Sequence, residues 1–311
     1  MSDAASGNEP ATPGPRLLAG GPIAAEIRAG VKAGVERFTE RRGRAPVLAV
    51  VVVGDDPASA VYAGQIVKAC GNAGIEGRRV DIAGDVTPER LRAEIAALNA
   101  DPVVAGIIVQ MPLPKQIPLR TVAEAIDPAK DIDGISPQSA GLLALGYDGF
   151  LPATAEASIE ILKRSGIDPK RKRAVVVGRS NVVGKPAAIL LLRDDATVTI
   201  CHSRTPDLAA HLREAEIVIV AIGKAELITG EMLRPGSVVV DVGINVVGEK
   251  LVGDVHFESA ARVVSAITPV PGGVGPVTNA LLLAHLLRAA EQQAETAELG
   301  AGAVEPAGRP G

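Results

Sequence analysis

The sequence predicts an α/β protein of two domains, each built on a parallel sheet. Three observations carry this reading. Strand-like runs alternate with helix-like segments along almost the whole chain. The strand runs are continuous stretches of Val, Ile and Ala, the pattern of strands buried on both faces. At 311 residues the chain is long enough for two cores.

The first strand is Val47–Val53, VLAVVVV. A helix over residues 59–73 follows, then a candidate strand at 78–82. From Thr87 the stretch TPERLRAEIAALN opens with a helix cap and a proline, and Leu91, Ile95 and Leu98 form one apolar face. Val104–Val109 is the next strand; it ends at Gln110 and runs into Met111-Pro112-Leu113-Pro114, which continues neither a central strand nor a helix. A second series begins near Leu151, with a helix at 155–165 and strands at 174–177, 197–201, 217–221 and 237–242. Helices are expected from the glycine turn to Arg193, at 208–213 and at 277–292. Such alternation argues parallel sheets with right-handed crossovers. No internal repeat is present. Residues 1–15 and 295–311 are rich in Ala, Gly, Pro and Glu and read as disordered tails.

Composition excludes several classes. The net charge is -4 and aromatics are 2%, which argues against a nucleic-acid binder with basic patches and stacking platforms. Cys70 and Cys201 are far apart and in no metal-like spacing, so neither a disulfide framework nor a metal site is expected. The polar start MSDAASGNEP lacks the basic and apolar regions of a signal peptide. No uncharged apolar run reaches the roughly 20 residues of a membrane span. A cytoplasmic location without membrane attachment is the expectation.

The segment from Ala174 through Gly178, Arg179, Ser180 and Gly184 to Pro186 reads as strand, tight turn and helix. A helix start offers backbone N–H groups and a positive dipole end to a phosphate. Its glycines stand six apart, so this is not G-x-G-x-x-G, and an ordinary βα turn would need a similar sequence. The following strand discriminates. Where NAD is preferred, an acidic residue near its end bonds the ribose. Here the strand ends in His202-Ser203-Arg204-Thr205 without a carboxylate. Arg179 and Ser203 offer a cation and a hydroxyl, donors that suit a 2′-phosphate. A Rossmann-like, doubly wound C-terminal domain binding NADP is the expectation.

Five motifs in order extend the reading. Val53-Gly54-Asp55-Asp56-Pro57-Ala58-Ser59 with Tyr62 and Lys68-Ala69-Cys70 is the first, and Gly106 through Pro114 the second. Lys130-Asp131-Ile132-Asp133-Gly134, the Gly178–Gly184 loop and Ile267 through Pro276 complete them. Together they resemble the methylenetetrahydrofolate dehydrogenase/cyclohydrolase family, over residues 16–292. The resemblance implies two domains across a cleft: residues 16–152, completed by helix 277–294, binding folate, and residues 153–276 binding NADP. It implies tetrahydrofolate derivatives as substrates and a homodimer. It further implies that Tyr62 packs against the folate, Gln110 assists hydrolysis and Asp133 bonds the pterin. Pro271, Gly272 and Gly273 would line the folate pocket, and Ile244 would meet the nicotinamide end. Asp131 reads as the structural member of its pair, beside the Gly134 turn.

The chain departs from the family pattern where a catalytic lysine usually follows the tyrosine by four residues, on one helix face. That position is Ile66. Lys68 lies about 200° around the helix from it. Ala153 and Ala155 stand where Cys and a second Pro are usual, and Thr154 remains as a candidate helix cap. Hydride removal depends on positioning, whereas hydrolysis needs general acid–base help of roughly 10²–10⁴-fold. The expectation is an NADP-dependent dehydrogenase with weak or absent cyclohydrolase activity. A conventional bifunctional enzyme and a folate- and NADP-binding pseudoenzyme partner are the alternatives.

Overall fold

The computed structural model describes residues 14–302. Its first half runs through β1 (Arg16–Leu17), α1 (Gly20–Arg42), β2 (Val47–Val53), α2 (Pro57–Asn72), β3 (Glu76–Ile82), α3 (Pro88–Ala100), β4 (Val104–Val109), α4 (Leu119–Ala123) and α5 (Pro137–Leu145). β2 is the centre of a parallel sheet of order β3-β2-β4, and all of its residues are buried. An uninterrupted valine run suits that position. Asp56 and Thr87 cap α2 and α3, accepting the N–H of Ser59 at 2.7 Å and of Arg90 at 3.2 Å. Each cap is followed by proline in the first helical turn.

The second half contains α6 (Ala153–Arg164), β5 (Arg173–Val177), α7 (Gly184–Arg193), β6 (Thr197–Cys201), α8 (Leu208–Glu214), β7 (Ile217–Val220), β8 (Val238–Asp241), β9 (Asn245–Val247), β10 (Lys250–Val252), α9 (Phe257–Ala260), β11 (Ala266–Ile267) and α10 (Val274–Gly302). Its main sheet is parallel throughout, in the order β1-β11-β8-β7-β5-β6. From β6 to β11 this is a doubly wound order, and the direction of winding reverses beside β5. That reversal opens a crevice at the carboxyl ends of the strands. β9 and β10 form a separate antiparallel hairpin. Among the described residues no helix is long and apolar enough to cross a membrane.

Two elements cross the division expected at residue 152. Arg16 and Leu17 pair with Ala266 and Ile267, so the start of the first half is an edge strand of the second sheet. α10 packs against α1 and β4 on one side and α6 on the other. Residues 295–302, expected as tail, continue α10, and Glu298 lies 2.7 Å from Arg42 across the helix pair. Ala, Leu and Glu favour helix, and extending an existing helix needs no new nucleus. The remainder of that tail and residues 1–13 lie outside the described residues.

The long helix α1 has no clear sequence signal. Its buried positions combine larger side chains, Val31, Val35 and Phe38, with three small ones, Gly20, Ala24 and Gly34. They are small because α10 and its preceding loop lie close. A Cβ on Gly34 would stand 2.4 Å from Leu287 Cδ2, and one on Gly20 would stand 1.9 Å from the Gly273 carbonyl oxygen.

Candidate active site

β5 and β6 pair in register up to Val177 and Cys201. Arg179 and Ser203 therefore leave the sheet from neighbouring strand ends, and both are exposed. Gly178 has φ +133°, and a Cβ there would meet the Ala221 carbonyl oxygen at 2.2 Å. Gly184 is equally constrained: its Cβ would lie 2.3 Å from the Gly178 oxygen. The two glycines thus touch, and any side chain would force the loop open.

The helix itself starts only at Gly184. The Ser180 hydroxyl accepts the N–H groups of Val183 at 3.1 Å and Gly184 at 3.3 Å. It satisfies donors that the sequence reading left free for a phosphate, so in this structure Ser180 shapes the loop. Past β6 the chain closes a small turn. His202 donates its N–H to Thr205 Oγ1 at 2.9 Å, and its Nδ1 accepts from the Arg204 N–H at 3.1 Å. The glycine cradle, Arg179 and Ser203, with no carboxylate at either strand end, fit a dinucleotide bearing a 2′-phosphate.

A cavity of about 510 Å³ is lined by Tyr62, Ile244, Pro271, Gly272 and Gly273, residues the sequence singled out. Arg28, Gln65, Asp241 and Asn279 also line it, and the sequence reading missed them. The Pro-Gly-Gly loop is anchored by the Gly20 N–H, which donates to the Gly272 oxygen at 2.8 Å. A Cβ on Gly273 would lie 2.6 Å from the Pro269 oxygen, so the loop has no room for a larger residue. Ile244 stands 65% exposed on the loop after β8. Two buried carboxylates shape that loop. Asp254 accepts the N–H groups of Ile222 at 2.7 Å, Gly223 at 2.9 Å and Lys224 at 2.8 Å, and the Asn245 amide at 2.9 Å. Asp241 accepts from Gly243 at 2.9 Å, Asp254 at 3.0 Å and Val255 at 2.9 Å. Burial still pushes Asp241 up to about 6, against those bonds.

Tyr62, on α2, donates its hydroxyl to Asn279 Oδ1 at 2.6 Å. Burial, and next the charge of Asp133, push its phenol up to about 12. Gln110 is buried directly after β4, where its N–H donates to the Val51 oxygen at 2.8 Å. The next residue ties this strand end to α2, because the Ser59 hydroxyl donates to the Met111 oxygen at 3.0 Å. Neither Gln110 nor Asp133 lines the cavity around Tyr62, although Asp133 lies within electrostatic reach of the phenol.

Asp133 is pushed up to about 7, chiefly by burial and then by Asp131, against the pull of His285 and the Ala153 N–H. Asp131 is fully buried and accepts from the Ile135 N–H at 3.0 Å, the Ser136 N–H at 2.8 Å and the Ser139 hydroxyl at 2.7 Å. It holds the turn that presents Asp133. His285 on α10 supports the same turn: its Nδ1 meets the Ile132 oxygen at 2.8 Å, and its Nε2 lies 2.8 Å from Glu156 Oε2. A carbonyl only accepts, so Nδ1 carries a proton.

Ile66 does not line this cavity. It is 4% exposed and packs with Ala63, Cys70, Ile108 and Leu286 in the core of the first half. The helix face that carries Tyr62 is continued in the cavity by Gln65, three residues on. Lys68 is exposed. Ala153 and Ala155 are fully buried, and Thr154 lies inside α6, whose cap position is Pro152. Among the described residues no group of His, Cys, Asp and Glu is arranged to hold a metal ion.

These features define a two-domain enzyme architecture, with a doubly wound dinucleotide site and a second ligand cavity beside it. Residues 18–133 match the catalytic domain of tetrahydrofolate dehydrogenase/cyclohydrolase, and residues 152–294 match its NAD(P)-binding domain. The chain belongs to that family. It is 53% identical over 278 residues to the bifunctional protein FolD of Moorella thermoacetica, covering 89% of this chain and 99% of that one. The crystal structure of the bifunctional enzyme FolD from Campylobacter jejuni superposes with a TM-score of 0.87 at 42% identity, over 89% of this chain and 99% of that one. The Trypanosoma brucei enzyme, solved with NADP and an inhibitor, gives a TM-score of 0.87 at 36% identity, over 91% of this chain and 99% of that one.

Asp133 has a pH signature. Its carboxyl titrates near 3.8 in the unfolded chain and near 7 in the folded protein. Between those values the folded state holds the extra proton, so this contribution to stability falls as pH rises. Asp133→Asn removes it. The stability of Asp133→Asn relative to wild type should therefore rise from about pH 4 to about pH 7 in urea unfolding. A difference that stays flat over that window contradicts the raised carboxyl.

Proposed function

We propose that this chain oxidises 5,10-methylenetetrahydrofolate to 5,10-methenyltetrahydrofolate with NADP, and that it hydrolyses the methenyl product slowly. What supports the first part is the cavity that Tyr62, the Pro271–Gly273 loop and Ile244 line together. When bound, NADP supplies the hydride acceptor. The chain's own residues bind and orient. An ionised Asp133 accepts two parallel N–H bonds from a 2-amino-4-oxo ring, so pterin binding tightens as pH rises past about 7. The Tyr62 ring forms a wall of the site. Arg179 and Ser203 take the 2′-phosphate. The imidazolidine nitrogens stabilise the cation that forms, so hydride removal asks mainly for position.

Hydrolysis asks for more: an attacking water and proton movement to a ring nitrogen. Ile66 supplies neither, and no lysine is among the residues lining the cavity. The relatives' names favour a conventional enzyme with both activities, and one assay separates the readings. Given methylenetetrahydrofolate and NADP, the protein should accumulate methenyltetrahydrofolate that decays little faster than its spontaneous rate. Rapid conversion of added methenyltetrahydrofolate to the 10-formyl product would establish the bifunctional reading instead.

Selectivity for NADP rests on Arg179. Arg179→Ala should raise KM for NADP about tenfold or more, the worth of a charge-assisted hydrogen bond, and leave that for NAD within a few-fold. Equal effects on both cofactors would remove Arg179 from the 2′-phosphate.

The homodimer reading draws on the β9–β10 hairpin, where Val246, Val247 and Leu251 are 74%, 51% and 46% exposed. An apolar hairpin of this kind invites strand pairing or burial against a second copy. Sedimentation at micromolar concentration should give a dimer, and Val246→Lys should shift it toward monomer.

A further inference from the structure

Asn279 stands out on α10. Its neighbours Thr278 and Ala280 are buried, and the following turns supply Leu282, Leu283 and Leu286 to the core. An amide at the border of such a surface is costly unless it is hydrogen-bonded. The partner it has is the Tyr62 hydroxyl, at 2.6 Å, and both residues line the same cavity.

We propose that Asn279 is a positioning residue of the folate site, acting through Tyr62. This rests on the folate reading of the cavity given above. A phenol has a single proton to donate. With that proton directed to Asn279 Oδ1, the Tyr62 oxygen meets a ligand only as an acceptor. The Asn279 amide nitrogen keeps two donors of its own, next to that acceptor. The pair is neutral, and it is held from two helices, so its direction is set before a ligand enters. The phenol stays protonated across the neutral pH range, since its ionisation is displaced to about 12. Arg28 and Asp241 are the charged residues that share the cavity. The bond therefore fixes ring tilt and proton direction at Tyr62, and substrate orientation depends on both.

The bland account is a brace between α2 and α10 with no effect on chemistry. Four variants separate the two: Tyr62→Phe, Asn279→Ala, their combination, and Asn279→Asp, which keeps an acceptor oxygen. Alanine is the best helix former, so Asn279→Ala retains α10. The readouts are kcat and KM for methylenetetrahydrofolate oxidation, KM for NADP, and the affinity for tetrahydrofolate without NADP by calorimetry. Asn279→Ala and Tyr62→Phe should each lower kcat by about fivefold to tenfold, the worth of one hydrogen bond. KM for NADP should hold. The combination should be no worse than the weaker single variant, and Asn279→Asp should recover kcat to within about threefold of wild type. Losses that multiply in the combination, or an Asn279→Ala enzyme with wild-type kcat, overturn the proposal while leaving the activity in place. A wild-type protein that neither binds tetrahydrofolate nor reduces NADP overturns the proposed function, and this inference with it.

Discussion

α10 is bonded along its length to segments from both halves of the molecule. Near its start Asn279 meets Tyr62 of α2. One and a half turns on, His285 reaches the Ile132 oxygen and Glu156 of α6. Arg288 donates to the Gly149 oxygen at 2.8 Å and stacks over Phe150, 4.3 Å from the ring centre. Gln293 donates to the oxygens of Ala105 at 2.8 Å and Ala129 at 3.0 Å. The apolar side chains divide likewise: Val277, Ala280 and Leu281 join the core of the second half, Leu282, Leu283 and Leu286 that of the first. A shift of one residue would turn each of these by about 100° and strand the polar groups. The register of this helix thereby sets where Tyr62 and the Asp133 turn stand relative to the nucleotide half. It admits little slack, because a Cβ on Gly106 of β4 would already lie 2.7 Å from Leu286 Cδ1.

Each half also contains a pair of carboxylates with contrasting surroundings. In the first, Asp131 is saturated by three donors and Asp133 is pushed up to about 7. In the second, Asp254 has four donors and Asp241 is pushed up to about 6. In each pair one carboxyl is satisfied by its donors while the other carries the cost of burial beside a like charge, although Asp241 also accepts three N–H bonds from its own loop. Environment divides the roles, since the side chains are chemically identical.

The sequence announced what repeats over many residues or depends on hard sterics. The valine run of β2, the cap at Thr87, and the glycines at 178 and 184 follow from burial, orphan N–H groups and close backbone approach. Elements held mainly by distant contacts gave weaker signals. β1 is two residues long and exists because β11 offers it an edge. α1 buries three small residues beside Val31, Val35 and Phe38, and α10 lying over Gly34 explains why they are small. In the site, Tyr62, Gly272 and Gly273 stood out by type, whereas Asn279 and Gln65 did not. Asn279 did leave a trace, as a polar residue opening the run Ala-Leu-Leu-Leu-Ala. Its partner 217 residues away is a property of the fold.

Ile66 shows how packing and chemistry compete at one position. A four-residue spacing places it near Tyr62, and on that basis it would face the ligand. The inward face of α2 also passes through Ala63 and Cys70, both fully buried, and Ile66 belongs to that face as well. An isoleucine there gains about 1.5–3 kcal/mol from leaving water. A lysine in the same place would have to leave that packing to keep its ammonium hydrated or paired. The position therefore belongs to the core, where an apolar side chain strengthens the docking of α2. Isoleucine at position 66 thus serves the packing of the first half, and the proposal of slow hydrolysis rests on the proton chemistry that its side chain lacks.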